Sequence, residues 1–195
     1  ICNYIHLPVQ SGSNAVLKAM NRQHTREEYM ALIADIKRLL PDCGISQDMI
    51  AGFPNDTEQD HKDTLSIMGY VTYDFGFMFM YSERPGTPAA KKLEDNIPDD
   101  VKKRRLQEIV DLQQKHGRIR NDQQLGKTVE VLIEKTSKRS DQQWSGRAQQ
   151  NTVVVFPKDA YKIGDFVSVK IDSCTSATLI GTAVGDGPTQ KHHHG

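Results

Sequence analysis

The chain shows two successive patterns of apolar and polar positions. Between residues 4 and 121, short apolar runs alternate with stretches in which apolar residues recur every three or four positions, which predicts strands joined by helices. Strands are expected at Tyr4–Val9, Ile45–Ala51 and Phe75–Met80, and helices are expected after Thr25, Thr57 and Pro98. This order predicts parallel strands with right-handed crossovers. It is too short for a complete eight-stranded barrel, so we interpret it as the last three strands of a partial, TIM-like one.

After Gly126 the period becomes two, which is typical of half-buried strands. Five short strands are expected at Val129–Glu134, Trp144–Gln149, Thr152–Phe156, Asp165–Ile171 and Ala177–Val184. Strands so short and so closely spaced predict a small antiparallel β-barrel. The sequence therefore predicts an α/β protein in three segments. Residues 1–121 form the partial barrel with a trailing helix, residues 122–184 form the small barrel, and residues 185–195 form a disordered or added tail.

Charge is unevenly distributed, although its sum is zero. Residues 1–114 carry 13 Lys and Arg against 17 Asp and Glu, whereas residues 115–195 carry 12 against 8. The second part is therefore the better partner for a polyanion such as nucleic acid. An excess of this size also occurs on ordinary protein surfaces, so charge alone does not identify the partner.

The three cysteines, Cys2, Cys43 and Cys174, are widely spaced and form no C-x-x-C motif. This pattern argues against a disulfide framework or a metal cluster, and it favours small core residues in a reducing cytoplasm. No apolar run approaches the roughly 18 residues of a membrane span, so no membrane contact is expected. The chain begins without Met or a signal-peptide pattern, and we expect it to be a fragment of a longer protein.

Polar or glycine-containing segments follow each predicted strand of the first region. They are Gln10–Gly12, Gly52–Asp56 and Ser82–Thr87. Ligands of parallel α/β sheets bind at the carboxyl ends of the strands, so these segments are candidate ligand contacts, with ordinary turns as the alternative. Arg84 stands out because a guanidinium beside Pro85 suits a phosphate or carboxylate. A surface pair with Glu83 is equally compatible with the sequence.

Several other polar residues lie inside predicted elements. His6 is interpreted as a core histidine rather than a catalytic one, and Asp48 needs a partner if it is buried. His24, His61 and His116 are expected to lie on helix faces exposed to solvent.

The small barrel contains candidates for nucleic-acid contact. Five cations suit phosphate contacts, Lys127, Lys138, Arg139, Arg147 and Lys170, and the first four are the predicted RNA-contacting residues. Trp144 and Phe156 could stack on bases, as aromatic residues on small barrels do. The alternative, which we favour for the two rings, places them in the core.

Several longer motifs carry a family resemblance. In the first region they are His6–Ser13, Ala19–Arg22, Thr25–Tyr29, Asp48–Pro54 and Tyr81–Ala89, and in the small barrel they are Gly126–Leu132, Gly146–Arg147 and Asn151–Phe156. Over residues 1–184 the chain resembles the C-terminal part of the tRNA 2-methylthio-N(6)-dimethylallyladenosine synthases, which are radical-SAM methylthiotransferases. The small barrel resembles their RNA-binding TRAM module, an OB-like barrel.

The resemblance implies an activity that needs more than this chain. The complete enzyme replaces the C2 hydrogen of an isopentenylated adenosine, next to the anticodon in the tRNA stem-loop, by a methylthio group. S-adenosylmethionine is both methyl donor and radical source, and two [4Fe-4S] clusters take part. Their ligands are not in this chain, so the resemblance implies no catalytic or metal-binding residue here and an inactive fragment. We expect the protein to be a monomer.

The resemblance also implies residue roles. It assigns the S-adenosylmethionine side to Gln10, Ser11, Gly52, Phe53 and Pro54. It assigns substrate contact to Arg84, which with Pro85 points to the adenosine-modifying enzyme.

The chain departs from the family pattern at two places besides the missing clusters. Asn55-Asp56 stands where the family usually has Gly-Glu, and Gln47 stands where it usually has Thr. Two other functions remain open at this point. One is a sister methylthiotransferase acting on threonylcarbamoyl-adenosine in tRNA, and the other is a non-catalytic RNA-binding protein.

Overall fold

The computed structural model describes residues 3–83 and 93–185. The chain divides into two units, one formed by Ile5–His116 and the other by Ile1–Tyr4 together with Gly117–Gly195. The first unit contains parallel strands and helices, and the second contains a closed β-barrel. The predicted α/β fold class, with a partial barrel followed by a small barrel, is confirmed.

The α/β unit is built on a three-stranded sheet. Its strands are β1 (Tyr4–His6), β2 (Gly44–Ala51) and β3 (Phe75–Met80), in the order β1-β2-β3. Strands β2 and β3 are parallel, in a register that pairs Ser46 with Phe75 and Ala51 with Met80. Its helices are α1 (Asn14–Ala19), α2 (Arg26–Leu39), α3 (Glu58–Val71) and α4 (Asp99–Asp122). The sequence did not predict α1, and β1 ends earlier than expected.

Capping side chains determine where the helices begin. The Thr25 hydroxyl accepts the Glu28 amide at the start of α2. Thr57 and Asp60 form a complete capping box at the start of α3. Each cap satisfies backbone N–H groups that have no partner in the first turn. Both helix starts therefore fall where the sequence predicts them.

The sheet buries one of its two faces. Odd-numbered residues of β2 join side chains of the helices in a core that includes Ile33, Ile45, Met49, Ile67, Met68, Tyr73 and Ile109. The other face carries Phe77 and Phe79, which are 51% and 54% exposed. The apolar sequence of β3 suggested a strand covered on both faces. That expectation was wrong for the described residues, because no element among them covers the second face.

The second unit is a closed barrel of five strands. They are β4 (Thr128–Thr136), β5 (Gln143–Arg147), β6 (Val153–Pro157), β7 (Phe166–Cys174) and β8 (Thr178–Ala183), in the closed order β4-β5-β6-β8-β7. Inward residues form its core, including Val131, Val154, Phe156, Val169 and Leu179. One detail differs from the expected antiparallel barrel, since β6 and β8 pair in parallel. Strands β6 and β8 run in the same direction because one strand, β7, separates them in sequence. They are neighbours because β7 lies between β8 and β4 in the barrel.

The packing of the α/β unit includes a buried pair of phenols. The Tyr29 hydroxyl donates to the Leu7 carbonyl at 2.9 Å and lies 2.7 Å from the Tyr73 hydroxyl. Both side chains are buried. Burial raises the pKa of Tyr29 to about 12, although its bond to Tyr73 opposes the shift. Among the described residues, the Leu7 carbonyl and the Tyr73 hydroxyl have no other hydrogen bond, so the Tyr29 hydroxyl is the group that links them.

The two phenols should respond differently to removal of the hydroxyl. We expect Tyr29→Phe to lower the free energy of unfolding by about 1–3 kcal/mol, because it leaves both the Leu7 carbonyl and the Tyr73 hydroxyl unpaired. Tyr73→Phe should cost less, about 0.5–1.5 kcal/mol, because Tyr29 keeps its bond to Leu7. Urea unfolding followed by far-UV circular dichroism measures both. Equal costs would contradict the asymmetry of this hydrogen-bond chain.

Candidate cofactor edge and nucleic-acid interface

The carboxyl ends of the three strands meet at one edge of the sheet. The Gln10 amide donates to the Asp48 carbonyl at 2.8 Å, and the Gln10 carbonyl accepts from the Ile50 amide at 3.1 Å. On the other side of β2, the Tyr81 amide donates to the Ala51 carbonyl at 2.8 Å. Gln10 and Tyr81 therefore flank β2, about 10 Å apart from the spacing of neighbouring strands.

Ser11 turns away from this edge. Its hydroxyl lies 3.4 Å from the Thr64 hydroxyl of α3 and accepts the Ser13 amide at 3.1 Å. Its exposure is only 3%. The hydroxyl is thus used inside the protein, where it joins the turn before α1 to α3. A contribution of Ser11 to a ligand site would come from positioning Gln10.

The loop after β2 packs closely against α4. Gly52 has φ +74°, and a Cβ atom there would lie 2.4 Å from Cγ of Lys102. Phe53 is buried, and its ring meets the Tyr81 ring edge-on at 5.1 Å between centroids. Pro54 is buried as well. Gly52 is therefore required for the approach of Lys102, and Phe53 with Tyr81 forms an apolar wall at the edge.

Lys102 was not identified from the sequence as a site residue. Its side chain is 3% exposed, and its ammonium lies 2.7 Å from the Asp95 carboxylate. The ammonium also donates to the Tyr81 carbonyl at 3.3 Å and lies 5.5 Å from the centre of the Tyr81 ring. The signal in the sequence is its position in α4, three residues before the similarly buried Arg105, which places both on one helix face.

Asp56, at the end of the same loop, also contacts α4. Its backbone carbonyl accepts from the Arg105 guanidinium at 2.7 Å, and its carboxylate lies 3.4 Å from that guanidinium. Burial raises the pKa of Asp56 to about 6, against the opposing effect of Arg105 and of a hydrogen bond from the Gly52 amide. The carboxylate thus holds its own loop in place.

A polar chain crosses the exposed face of the sheet. His6 Nδ1 lies 2.5 Å from the Ser46 hydroxyl, and its Nε2 lies 3.1 Å from the Asp48 carboxylate. The side chains of His6 and Asp48 are 33% and 29% exposed. His6 is therefore not the core histidine that the sequence favoured. It is the partner that Asp48 needs.

The other predicted positions are an arginine, two histidines and two cysteines. Arg84 lies outside the described residues, so its predicted role stays a prediction. His61 and His116 are buried, contrary to the exposed positions expected for them. His61 faces α4, where its Nε2 lies 3.4 Å from the Glu108 carboxylate. Cys43 and Cys174 are buried, as expected of core residues.

Three of the four predicted RNA-contacting cations lie together. Lys138, Arg139 and Arg147 line one groove on the barrel, with a volume of about 280 Å³. Lys127 lies before the opposite end of β4, about 25 Å away along an extended strand. Of the two aromatic candidates, Phe156 is fully buried in the core. Trp144 packs on the core, and its indole N–H donates to the Lys158 carbonyl at 3.2 Å.

Within residues 3–83 and 93–185, no group of three or more His, Cys, Asp or Glu side chains is arranged to hold a metal ion. Within the same ranges, each helix is too short or too polar to cross a membrane.

Comparison with known proteins identifies both parts of the chain. The sequence model of the radical SAM superfamily matches residues 1–68, and that of the TRAM domain matches residues 122–184. The radical SAM match implies S-adenosylmethionine and iron–sulfur clusters as cofactors.

Similar proteins include several tRNA-2-methylthio-N(6)-dimethylallyladenosine synthases. The synthase of Christiangramia forsetii is 67% identical over 185 residues, which cover 95% of this chain and 38% of the relative. That of Flavobacterium johnsoniae is 65% identical with the same coverage, and that of Bacteroides fragilis is 53% identical over 94% of this chain and 40% of the relative. The chain thus spans about two fifths of the length of these relatives.

A solved structure has a similar fold. Coproporphyrinogen III oxidase (HemN) from Escherichia coli, a radical SAM enzyme, superimposes with a TM-score of 0.51 and 16% sequence identity. The match covers 86% of this chain and 41% of that protein. At this identity the likeness supports the fold alone.

The residues at the sheet edge fit an adenosine-bearing cofactor. In the described part of the chain, no hydrogen bond is formed by the Gln10 side-chain amide. The Tyr81 hydroxyl is shielded from solvent and has no hydrogen-bond partner among residues 3–83 and 93–185. The Tyr81 ring packs on the Phe53 ring, and such a mixture of polar groups and apolar wall is typical of small-molecule sites.

The raised pKa of Asp56 predicts a pH effect on stability. Between about pH 4 and about pH 6, the Asp56 carboxyl holds its proton in the native state but has released it in the unfolded chain. The free energy of unfolding therefore falls as pH rises through this window. Asp56→Asn removes this loss. The stability of the variant relative to the wild type should therefore increase between pH 4 and 7.

Urea unfolding at several pH values measures this effect. The same substitution at exposed Asp35 controls for the loss of one carboxylate. The stability of the Asp56 variant relative to the wild type could instead fall over this range. That result would mean that the ion pair with Arg105 lowers the pKa of Asp56 more than burial raises it.

Proposed function

We propose that this chain, which belongs to the radical SAM methylthiotransferase family, is part of an enzyme that methylthiolates C2 of N(6)-isopentenyladenosine next to the tRNA anticodon. The observation that carries the proposal is the 67% identity to a synthase of that name over 95% of the chain. The chain by itself is expected to be inactive. Iron–sulfur clusters are held by grouped cysteine thiolates, and its three cysteines are scattered.

The sheet edge is the proposed S-adenosylmethionine side of the site. S-adenosylmethionine, with the iron–sulfur clusters, supplies the radical and the methyl group. The residues of this chain bind and orient the S-adenosylmethionine. The Gln10 amide and the Tyr81 hydroxyl offer hydrogen bonds, Phe53 and Pro54 exclude water, and Gly52 and Ser11 set the backbone beside them. Holding reactants in a fixed geometry is a large part of what a protein contributes to such chemistry.

The substrate side of the proposal concerns Arg84 and the barrel. Arg84 is proposed to contact the substrate, since a guanidinium can hold a phosphate in a two-pronged pair. Lys127, Lys138, Arg139 and Arg147 are proposed to bind phosphates of the anticodon stem-loop. The enzyme is proposed to act as a monomer in the cytoplasm.

The reaction can be tested by analysing tRNA nucleosides. A strain that lacks the gene should lose 2-methylthio-N(6)-isopentenyladenosine and accumulate its precursor without the methylthio group. The gene for the complete protein should restore it, and the Arg84→Ala form should restore it poorly at equal protein level. Liquid chromatography with mass spectrometry measures each nucleoside. Loss of the methylthio group from threonylcarbamoyl-adenosine instead would identify the sister enzyme, and no change would favour a non-catalytic RNA-binding protein.

RNA binding can be tested on the 195-residue chain itself. Lys138→Glu combined with Arg139→Glu should weaken tRNA binding about tenfold or more at low salt and reduce the steepness of its salt dependence, because each lost phosphate contact retains counterions. Lys162→Glu, on the turn between β6 and β7, should change affinity less than twofold. Filter binding at several salt concentrations measures both. If the double variant binds like the control, the charged groove is not the RNA surface.

A further inference from the structure

One side chain of α4 contacts the chain segments that follow both β2 and β3. The methylene stem of Lys102 lies beside Gly52, where a Cβ atom would come within 2.4 Å of the Lys102 Cγ. The Lys102 ammonium donates to the Tyr81 carbonyl at 3.3 Å and lies 5.5 Å from the centre of the Tyr81 ring. Lys102 thus joins the loop after β2 to the residue after β3, at the edge where S-adenosylmethionine is proposed to bind.

A lysine is an unfavourable residue for this position. Lys102 lies in the first turn of α4, where its amide donates to the Pro98 carbonyl at 3.0 Å and where the helix dipole repels a cation. Its side chain is 3% exposed, so the ammonium has also lost its hydration. An apolar side chain would cover Gly52 without either cost, and replacing a buried ion pair by apolar residues is often neutral or stabilising. Stability alone therefore does not explain the charge at residue 102.

The contribution of the ammonium is a fixed position for Tyr81. The Asp95 carboxylate, 2.7 Å away, holds the ammonium in place. The Tyr81 amide donates to the Ala51 carbonyl at 2.8 Å, and the Tyr81 ring meets the Phe53 ring at 5.1 Å between centroids. With Lys102 on its carbonyl, Tyr81 is therefore held at its amide, its carbonyl and its ring.

We propose that Lys102 is a positioning residue of the cofactor site, where it holds the Tyr81 hydroxyl and the Phe53 ring in place for S-adenosylmethionine. The inference rests on the proposed function and deepens it, because it adds a residue that neither the motifs nor the strand ends identify. Lys102 acts through Tyr81, since its own ammonium is buried and bonded to Asp95.

Loss of the ammonium is expected to affect one ligand and spare the other. A displacement of about 1 Å at a site can cost about 100-fold in rate when it misplaces the reacting groups. Tyr81 and Phe53 are proposed to bind the cofactor, so a shift of either should weaken cofactor binding first. A contact that binds ground state and transition state equally changes KM and leaves kcat unchanged. The predicted signature is therefore a raised KM for S-adenosylmethionine with an unchanged affinity for tRNA.

The test uses the complete enzyme with its iron–sulfur clusters and the variant Lys102→Met, which keeps an unbranched stem beside Gly52 and removes the ammonium. Anaerobic titration calorimetry should show S-adenosylmethionine binding weakened about tenfold, and its KM should rise by a similar factor. The kcat at saturating cofactor and the affinity for tRNA should stay within about twofold. Lys102→Arg should recover most of the cofactor affinity, because a guanidinium can still donate to Asp95 and to the Tyr81 carbonyl.

Lys103→Met, the same change at the exposed neighbouring residue, is the matched control and should leave cofactor binding unchanged. Lys102→Met also leaves the Asp95 carboxylate without its cation, so Lys102→Met combined with Asp95→Asn removes the whole pair. The double variant should melt closer to the wild type than the single variant does and should still bind S-adenosylmethionine weakly.

Two results would refute the positioning role. One is wild-type cofactor affinity in folded Lys102→Met. The other is recovery of that affinity in the double variant, which would mean that the uncompensated Asp95 carboxylate caused the defect. The failure of the proposed function looks different, because the wild-type enzyme itself would then neither bind S-adenosylmethionine nor methylthiolate tRNA.

Discussion

The edge of the parallel sheet keeps its shape because two cations of α4 are buried against the loop after β2. Lys102 fills the space beside Gly52 and bonds Asp95, and Arg105 bonds both the carbonyl and the carboxylate of Asp56. Removing one partner of a buried ion pair typically costs about 3–5 kcal/mol, because the other charge is left without compensation. The position of Phe53, and with it the wall that faces the strand ends, depends on these contacts.

The same loop explains why an unusual sequence is tolerated there. Asn55 has φ +66°, a region that favours glycine and that Asn occupies more readily than other residues. Its side chain gains a hydrogen bond of 2.7 Å from Asn96, which a glycine could not form. Asp56 is short, yet its carboxylate reaches both the Gly52 amide and Arg105. Asn55 and Asp56 therefore hold this loop through hydrogen bonds of their own side chains.

Local rules in the sequence predicted much of the fold, and contacts between distant residues account for what they missed. The caps at Thr25 and Thr57 and the bounds of β3 follow from residues within a few positions. By contrast, the run Lys102–Arg105 looks uniformly polar, although two of its members are buried. Their burial depends on carboxylates at Asp56 and Asp95 that only the folded chain brings near. His61 is buried for the same reason, since it faces a helix 47 residues later.

At the candidate sites, the motifs identified the strand ends and most of the barrel cations, but not the groove between those cations. The run Val153–Phe156 reads as a buried strand, and periodicity cannot tell which of its residues face the core. Closure of the barrel decides this by placing Val154 and Phe156 inside and Val153 and Val155 outside. The barrel cations by themselves would position RNA without distinguishing its bases, because phosphate contacts are the same at every nucleotide.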